Sequence, residues 1–438
     1  MLKRTVAIMA LAGLVALSGC ERDSYLPGKR EDLRASGNED QPAARAQDRS
    51  APISLPAQVQ NSEWTHTIGT PRTRVSHAAL RAAPQPVWST PIGQGDTRRQ
   101  RITADPVVAG GRVFTLDAAA KVTATSTEGQ TLWSREVTPP AARSKDATGG
   151  GLAYGAGKLF VSSGFGQLTA LAPDSGKVLW QQRLRATGSG APTVYGGMVY
   201  LVAGDDTGWA IDAETGRVQW QVTAMPDVSN VLGAPAPALN DTYAIFAFGG
   251  GEVQATFRKG GLRAWNGSVR GQRRFSAASK VGDITGDPVI DGSRVYVGSH
   301  AGRVVAMNVA NGERIWTAQQ GAMNPVFPVG GSIFVISDRN ELVRLDARDG
   351  SRIWGVELPG FTKSRPRRQV ERVPHYGPIL AGGRIVVASG DGKLRFFDPE
   401  SGKLSYSAAV PGGATTDPVV AGGTLYVVGS RGQLHAFR

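Results

Sequence analysis

The stretch ADPVVAGGRVFTLDAAAKVTATSTEGQTLW, residues 104–133, carries the pattern on which the fold depends. An apolar triplet, Val107-Val108-Ala109, leads into Gly110-Gly111, a pair suited to the positive backbone angles of a two-residue hairpin. A β-branched and aromatic segment follows, then a small polar turn, a third segment, a second turn, and a last segment that ends in Trp133. Short segments of this composition between such turns predict four antiparallel strands.

This pattern recurs along the rest of the chain. Its apolar start is found again near Gly151 and at Pro192, Pro235, Pro288, Pro325, Pro378 and Pro418. The aromatic residue that closes each unit recurs every 38 to 52 residues, at Trp88, Trp133, Trp180, Trp220, Trp265, Trp316, Trp354 and Tyr406. A period in the forties made of short strands is typical of propeller blades. We therefore predict an all-β fold, an eight-bladed β-propeller.

The two ends of the repeat complement each other. The last unit begins at Pro418 and stops after its third strand, at Phe437. The segment 86–90, Pro-Val-Trp-Ser-Thr, resembles the missing fourth strand. We expect it to pair into the last blade, because closing the ring removes two open sheet edges. Seven blades is the alternative if the unit at 233–265, which contains Gly249-Gly250-Gly251, is not a true blade.

Composition excludes several other classes of protein. The chain has 438 residues, of which 57 are Gly and 19% are charged, without the heptads of a coiled coil or the triplets of collagen. A hydrophobic share of 41% is too high for a wholly disordered chain. The single cysteine excludes an internal disulfide framework.

The first twenty residues indicate secretion. Lys3 and Arg4 precede an apolar run that is too short to span a bilayer as a helix, and Leu-Ser-Gly-Cys follows at 17–20. This segment resembles a bacterial lipobox, which implies a signal peptide at 1–19, cleavage before Cys20 and acylation of Cys20. The residue after the cysteine is Glu21 rather than the Asp that favours inner-membrane retention in enterobacterial lipoproteins. We therefore expect an outer-membrane lipoprotein that faces the periplasm.

Residues 20–83 predict a flexible tether between the lipid and the propeller at 84–438. The stretch is rich in Pro, Ser, Ala, Gln and Arg and has no sustained apolar period. Such a composition buries too little apolar surface to offset the entropy of ordering the chain.

We find no residue pattern typical of catalysis or metal binding. The five histidines, His66, His77, His300, His375 and His435, do not have metal-ligand spacing, and the nucleophile-elbow motif Gly-x-Ser-x-Gly is missing. Many aspartates lie in turns of the form Asp-x-x-x-Gly or near it, where a carboxylate caps backbone N–H groups. We therefore predict no enzyme activity, no cofactor and no catalytic or metal residues.

The repeat and the lipobox together resemble the BamB family, lipoproteins of the outer-membrane β-barrel assembly machinery with a quinoprotein-like propeller. The resemblance covers residues 84–438 and the signal, and is sharpest at 88–93 (Trp-Ser-Thr-Pro-Ile-Gly) and at Leu184-Arg185, followed by Ala-Pro-Thr at 191–193. It implies a non-enzymatic scaffold that assists the insertion of β-barrel proteins into the outer membrane. The implied partners are the periplasmic domains of the barrel-inserting protein BamA, other lipoproteins of the machinery and unfolded barrel precursors, and not nucleic acid.

The resemblance also implies docking residues. In the family, a Leu-x-Leu-Arg segment and an Asp-x-Asp pair in the next inter-blade loop bind the partner. Leu184 and Arg185 match the end of the first motif, although Gln182 replaces its first leucine. The second motif falls at residues 229–232, where Asn230 and Leu232 take the positions of the two carboxylates.

Two other functions remain open from the sequence. A quinone-dependent dehydrogenase shares the blade repeat, but many of its alcohol-oxidising members carry adjacent cysteines, and no cysteine follows Cys20. We also do not identify the calcium ligands and catalytic Asp that such enzymes need. A periplasmic binding or adhesion module on the same fold is the third possibility.

The net charge of +13 has two explanations. Basic residues are concentrated at 363–372 and at 258–274. They either form a solvated surface that favours solubility or dock an acidic partner or anionic lipid.

Overall fold

In the computed structural model, the described residues are 48–146, 149–186, 190–225, 234–271, 284–363 and 365–438. They contain eight four-stranded antiparallel sheets. In each sheet the strands follow one another from the innermost to the outermost, and the sheets are arranged around a central axis as the blades of a propeller. The prediction of an all-β, eight-bladed β-propeller is confirmed.

The first four blades run in chain order from β2 to β17. Blade 1 comprises β2 (Val107–Ala109), β3 (Arg112–Leu116), β4 (Lys121–Ser126) and β5 (Thr131–Glu136). Blade 2 comprises β6 (Gly150–Gly155), β7 (Lys158–Ser163), β8 (Gln167–Leu171) and β9 (Val178–Arg183). Blade 3 comprises β10 (Thr193–Tyr195), β11 (Met198–Val202), β12 (Thr207–Asp212) and β13 (Val218–Thr223). Blade 4 comprises β14 (Ala238–Leu239), β15 (Tyr243–Ala247), β16 (Glu252–Phe257) and β17 (Arg263–Ser268).

The remaining blades complete the ring. Blade 5 comprises β18 (Val289–Asp291), β19 (Arg294–Ser299), β20 (Arg303–Asn308) and β21 (Arg314–Ala318). Blade 6 comprises β22 (Phe327–Val329), β23 (Ser332–Ile336), β24 (Glu341–Asp346) and β25 (Arg352–Glu357). Blade 7 comprises β26 (His375–Ala381), β27 (Arg384–Ser389), β28 (Lys393–Phe397) and β29 (Leu404–Ala409). Blade 8 comprises β30 (Val419–Ala421), β31 (Thr424–Gly429), β32 (Gln433–Phe437) and β1 (Pro86–Pro91).

Helical structure within the described ranges is limited to short 3-10 turns. These lie at Ser144–Asp146, Gly249–Gly251 and Pro366–Arg368. The turn at Gly249–Gly251 falls between the second and third strands of blade 4, where Gly250 has a φ of 66°. The unit at 233–265 therefore forms a true blade, and the seven-bladed alternative is wrong.

The first and last parts of the propeller meet in blade 8. Strand β1 pairs antiparallel with β32, with Trp88 opposite Ala436 and Thr90 opposite Leu434. The outermost strand of this blade thus comes from the beginning of the propeller and its other three strands from the end.

The closing aromatic residue of a blade contacts the next blade. The Trp133 indole donates a hydrogen bond to the carbonyl of Pro173, at 2.9 Å, and its ring lies on Gly176. Gly176 has a φ of 67°, and a Cβ atom there would lie 2.6 Å from the ring. Trp88 of β1 makes the same kind of bond to Thr127, at 3.0 Å, and so joins blade 8 to blade 1. This contact explains why the aromatic and the turn glycine recur together.

Residues 48–83, here called the strap, lie against one end of the propeller. The prediction of a flexible tether is wrong for this part of the stretch 20–83. Trp64 is 1% exposed and exchanges two backbone hydrogen bonds of 2.8 Å with Val108 of blade 1. Ala78 is fully buried, and its backbone bonds to Leu380 and Gly382 of blade 7.

The strap contacts every blade of the ring. These contacts are made by residues 49–51 to blades 6 and 7, Asn61 to blade 8, Trp64 to blade 1, Thr65 to blade 2, His66 to blade 3, Ile68 to blade 5, Arg72 to blade 4 and Ala78 to blade 7. The buried residues of the strap are irregularly spaced because they follow its path around the ring and contact different blades. Residues 1–47, including the predicted signal peptide and Cys20, lie outside the described residues.

Candidate docking face and axial cavity

The two ends of the propeller are built from different connections. In an antiparallel sheet, successive turns lie at opposite ends of the strands. The turns that follow the first and third strands lie at the end covered by the strap, which we call the strap face. The turns after the second strand and the inter-blade connections lie at the other end, which we call the open face.

An axial cavity of about 670 Å³ is lined mainly by residues of the open face. Most of its wall comes from residues that precede the innermost strand of a blade, such as Asp105, Ala191 and Asn324. Thr67 of the strap also lines it. The cavity has Arg101 and Arg372 in its wall, so cations are present on two sides of it.

Three buried aspartates lie around the axis. Asp105, Asp287 and Asp417 each precede the proline that starts a unit, and each accepts a backbone hydrogen bond from the preceding blade. The donors are Asp417 N to Asp105 at 2.8 Å, Ala236 N to Asp287 at 2.8 Å and Gly377 N to Asp417 at 2.6 Å. These carboxylates therefore join adjacent blades.

Burial raises the pKa of each of these carboxyl groups. It raises the pKa of Asp287 to about 7 and that of Asp417 to about 6, partly opposed by Arg74 and by the accepted N–H bonds. Burial and the charge of Asp417 raise the pKa of Asp105 well above its ordinary value. The second oxygen of Asp287, Oδ2, has no hydrogen-bond partner among the described residues. A proton on this carboxyl group lowers the cost of burying it.

Arg74 of the strap supplies the positive charge at this end of the axis. It is 8% exposed, and its guanidinium donates to the carbonyls of Val326 and Pro325, both at 2.9 Å, and of Pro378 at 3.3 Å. Burial lowers its pKa to about 10, while the three aspartates raise it. Arg74 therefore stays charged at neutral pH and fixes the strap to blades 6 and 7.

His66 of the strap acts as a neutral acceptor. Its Nε2 accepts the N–H of Val194 at 3.0 Å, and burial lowers its pKa to about 3. The tautomer with the proton on Nδ1, next to the Thr65 hydroxyl at 2.8 Å, satisfies both contacts.

The axial residues do not fit a calcium and quinone site. The carboxylates of Asp105, Asp287 and Asp417 are bonded to backbone N–H groups of neighbouring blades. In the part of the chain that the structure describes, no group of three or more His, Cys, Asp or Glu side chains is placed to hold a metal ion. Calcium in proteins takes six to eight oxygen ligands, which this arrangement does not offer.

The structure places the predicted docking residues Leu184 and Arg185 in different environments. Leu184 is fully buried between blades 2 and 3, in a cluster with Phe160 and Trp209, so it differs from the expected surface contact. It follows the outermost strand β9 directly, and its N–H bonds to Gly166 at 2.8 Å, which turns the side chain into the core. Arg185 is exposed on the open face with a φ of 60°. Asn230 and Leu232 lie outside the described residues, as does Cys20.

One of the two basic clusters forms a defined element. Residues 358–374, which connect β25 to β26 and are here called the basic hairpin, carry Lys363, Arg365, Arg367 and Arg368 in exposed positions on the open face. The other cluster is divided: Arg258 and Arg263 lie in blade 4, and Arg273 and Arg274 lie outside the described residues.

The sequence analysis did not predict the three buried axial aspartates or the ordered strap. The Asp-Pro pairs at 105, 287 and 417 were visible as the start of a unit and could have indicated buried inter-blade carboxylates. Nothing near Arg74 in the sequence points to its acceptors, which are 251, 252 and 304 residues away.

No helix in the described ranges has both the length and the apolar character that crossing a membrane requires.

These observations define the protein as a closed, eight-bladed β-propeller. It resembles BamB from Moraxella catarrhalis, with a TM-score of 0.66 at 17% identity, covering 81% of this chain and 100% of that one. It also resembles a quinohemoprotein alcohol dehydrogenase from Comamonas testosteroni, with a TM-score of 0.63 at 15% identity, covering 86% of this chain and 81% of that one. At these identities, the likeness shows the fold alone.

The sequence comparison identifies the family. The family described as outer membrane protein assembly factor BamB matches residues 118–356 and 365–438, so the chain belongs to the BamB family. The outer membrane protein assembly factor BamB of Shewanella oneidensis is 25% identical over 361 residues, which is 80% of this chain and 88% of that protein. The Escherichia coli protein of the same name is 23% identical over 359 residues, which is 81% of this chain and 88% of that protein.

Proposed function

We propose that this protein is a non-enzymatic scaffold lipoprotein that assists the assembly of β-barrel proteins in the outer membrane. The observation that carries this proposal is the family match, which runs through most of the propeller rather than through one blade. Relatives named as outer membrane protein assembly factors cover about four-fifths of the chain. The axial residues, already engaged in inter-blade bonds, favour a structural role over the dehydrogenase chemistry of the more distant neighbours.

The scaffold acts by holding its open-face connections in a rigid arrangement. The aromatic-to-turn contacts link one blade to the next, and the strap joins all eight, so the open-face connections are held at fixed positions. A partner that binds several of these connections loses little conformational freedom in the protein, because the ring is already ordered. We propose that the partner is the periplasmic part of the barrel-inserting protein BamA and that Arg185 contributes to the contact.

Affinity purification tests the docking proposal. Full-length tagged protein is recovered from solubilised envelopes, and co-purifying proteins are identified by mass spectrometry. We expect BamA with the wild type, and at least about tenfold less of it with Arg185→Glu, since a charge reversal turns an attraction into a repulsion. Arg217→Glu, at an exposed position on the strap face, is the matched control and should leave recovery unchanged. Equal recovery with Arg185→Glu would place the docking surface elsewhere.

We further propose that acylated Cys20 anchors the protein to the outer membrane with the propeller in the periplasm. Several acyl chains hold a protein at a bilayer far more firmly than one, because each buried methylene adds about 0.8 kcal/mol. Cys20→Ala should move the protein from the membrane pellet to the soluble periplasmic fraction. Retention of that variant in the outer-membrane fraction would mean that the propeller is held there by other contacts.

A further inference from the structure

The basic hairpin is an anchored element rather than a loose loop. Phe361 and Arg372 form a β-bridge, and the N–H of Thr362 donates to the carbonyl of Glu371 at 3.0 Å. Leu358 and Val373 are buried at its base. The Asn340 side-chain amide donates to three hairpin carbonyls, those of Pro359, Gly360 and Val373, at 3.2 to 3.3 Å. The base of the hairpin is therefore held at a fixed place on the open face.

The outer part concentrates unpaired positive charge. None of the ion pairs among the described residues includes the four exposed cations Lys363, Arg365, Arg367 and Arg368. Glu371 is the single acidic residue in 358–374. Like charges this close repel one another, and an anion that binds among them removes the repulsion.

Three cations near the strap face are arranged differently. Arg72 pairs with Asp241 at 2.8 Å, Arg348 with Asp346 at 2.8 Å and Arg352 with Asp48 at 2.8 Å. An acidic residue of the same chain thus meets each of these three cations. The negative charges that complement the cations of the basic hairpin would therefore come from another molecule.

The surroundings favour a protruding segment over a flat surface. Thr362, Glu371 and Arg372 of the hairpin line the axial cavity, and Arg101, which pairs with Asp96 at 3.4 Å, lines it from another connection. A cavity of about 670 Å³ can receive part of a polypeptide, whereas a planar lipid surface would reach only its rim. Exposed apolar side chains adjoin the cations: Val370 is 91% exposed and Met323, in the cavity wall, is 50% exposed. Apolar contact beside charge is the usual composition of a protein interface.

We infer that the basic hairpin and the cavity mouth receive an acidic, protruding segment of the partner protein. Its carboxylates pair with Lys363, Arg365, Arg367 and Arg368, and an apolar residue beside them contacts Val370. This inference rests on the proposed docking function and specifies the chemistry of the partner.

The test compares two variants with the same change in net charge. The hairpin variant is Lys363→Glu, Arg365→Glu, Arg367→Glu, Arg368→Glu in the full chain. The matched control is Lys177→Glu, Arg217→Glu, Lys259→Glu, Lys403→Glu, at exposed positions in strap-face turns. The probes are the purified periplasmic domains of BamA from the same organism and vesicles of phosphatidylcholine and phosphatidylglycerol. Binding is measured at low and at physiological salt, and thermal unfolding verifies that both variants are folded.

We expect the hairpin variant to bind the BamA domains at least about tenfold more weakly than wild type, and the control to stay within about twofold. Wild-type affinity should fall as salt rises, because exposed charges are screened. If the domains bind wild type and hairpin variant equally, the inference is wrong while the docking proposal stands. Equal weakening of both variants would show that only net charge matters. A hairpin variant that loses vesicle binding alone would make the lipid surface the occupant, and domains that do not bind wild type would contradict both proposals.

Discussion

The strap face and the open face of the same ring differ in how their polar groups are satisfied. On the strap face, the backbone of residues 48–83 bonds to the blades, and Arg74 and His66 are buried with partners of the same chain. On the open face, four exposed cations of the basic hairpin have no ion pair among the described residues, and Arg185 is exposed. Groups satisfied internally stabilise the fold, whereas those left unsatisfied at a fixed position are available to a partner.

Truncating the anchor of the strap should have the largest effect. Trp64→Ala removes a side chain that is 1% exposed, and large-to-small changes of this kind lower the free energy of unfolding by about 3–5 kcal/mol. Urea unfolding measures the change. Val59→Ala, at a strap position that is 46% exposed, is the control and should change stability by less than about 0.5 kcal/mol. Similar small effects from both would mean that the strap contributes little.

The neighbouring residues Leu184 and Arg185 should have different roles, Leu184 in stability and Arg185 in partner binding. Leu184→Ala opens a space between blades 2 and 3 and should lower the free energy of unfolding by about 2–5 kcal/mol. Arg185→Ala should leave stability within about 0.5 kcal/mol and weaken recovery of the partner. Unfolding curves and co-purification of the two variants provide both readouts. A stable Leu184→Ala protein that loses the partner would restore Leu184 as a docking residue.

The axial carboxyl groups should make stability depend on pH. The folded state keeps the proton on Asp287 up to about pH 7, whereas the unfolded chain loses it near pH 4. The protonated Asp287 side chain therefore makes its full contribution to the free energy of unfolding below about pH 4, and this contribution is lost as pH rises through the pKa of the folded state.

Asp287→Asn keeps an oxygen that can accept the N–H of Ala236 but cannot titrate. Relative to wild type, this variant should gain a few kcal/mol between pH 4 and pH 8. Urea unfolding at a series of pH values measures the difference. A difference that does not vary with pH would mean that Asp287 is ionised throughout.

The smallest effect on stability is expected at the basic hairpin. The four substitutions to Glu change exposed side chains without an ion pair among the described residues, so the free energy of unfolding should change by less than about 1 kcal/mol. Thermal unfolding beside the strap-face control variant measures this. A large loss of stability would show that these cations support the fold, and the contrast between the faces would fail.

The parts of the fold that recur in the sequence were predictable. The spacing of Trp88, Trp133 and their equivalents gave the number of blades, because each aromatic contacts a turn at a fixed distance along the repeat. The strap was not predictable, since Trp64, Ile68 and Ala78 contact different blades and form no period. The docking surface stays a prediction. Arg185 is exposed, but whether Leu184 is buried depends on Trp209 of the neighbouring blade, which local sequence does not reveal.

Site-specific photo-crosslinking in intact cells tests most directly whether the open face holds the partner. A photoreactive residue is placed at Arg185 on the open face or at Arg217 on the strap face, both of which are exposed. We expect a crosslink to BamA from position 185 and none from position 217. A crosslink to BamA from position 217 alone would contradict docking on the open face.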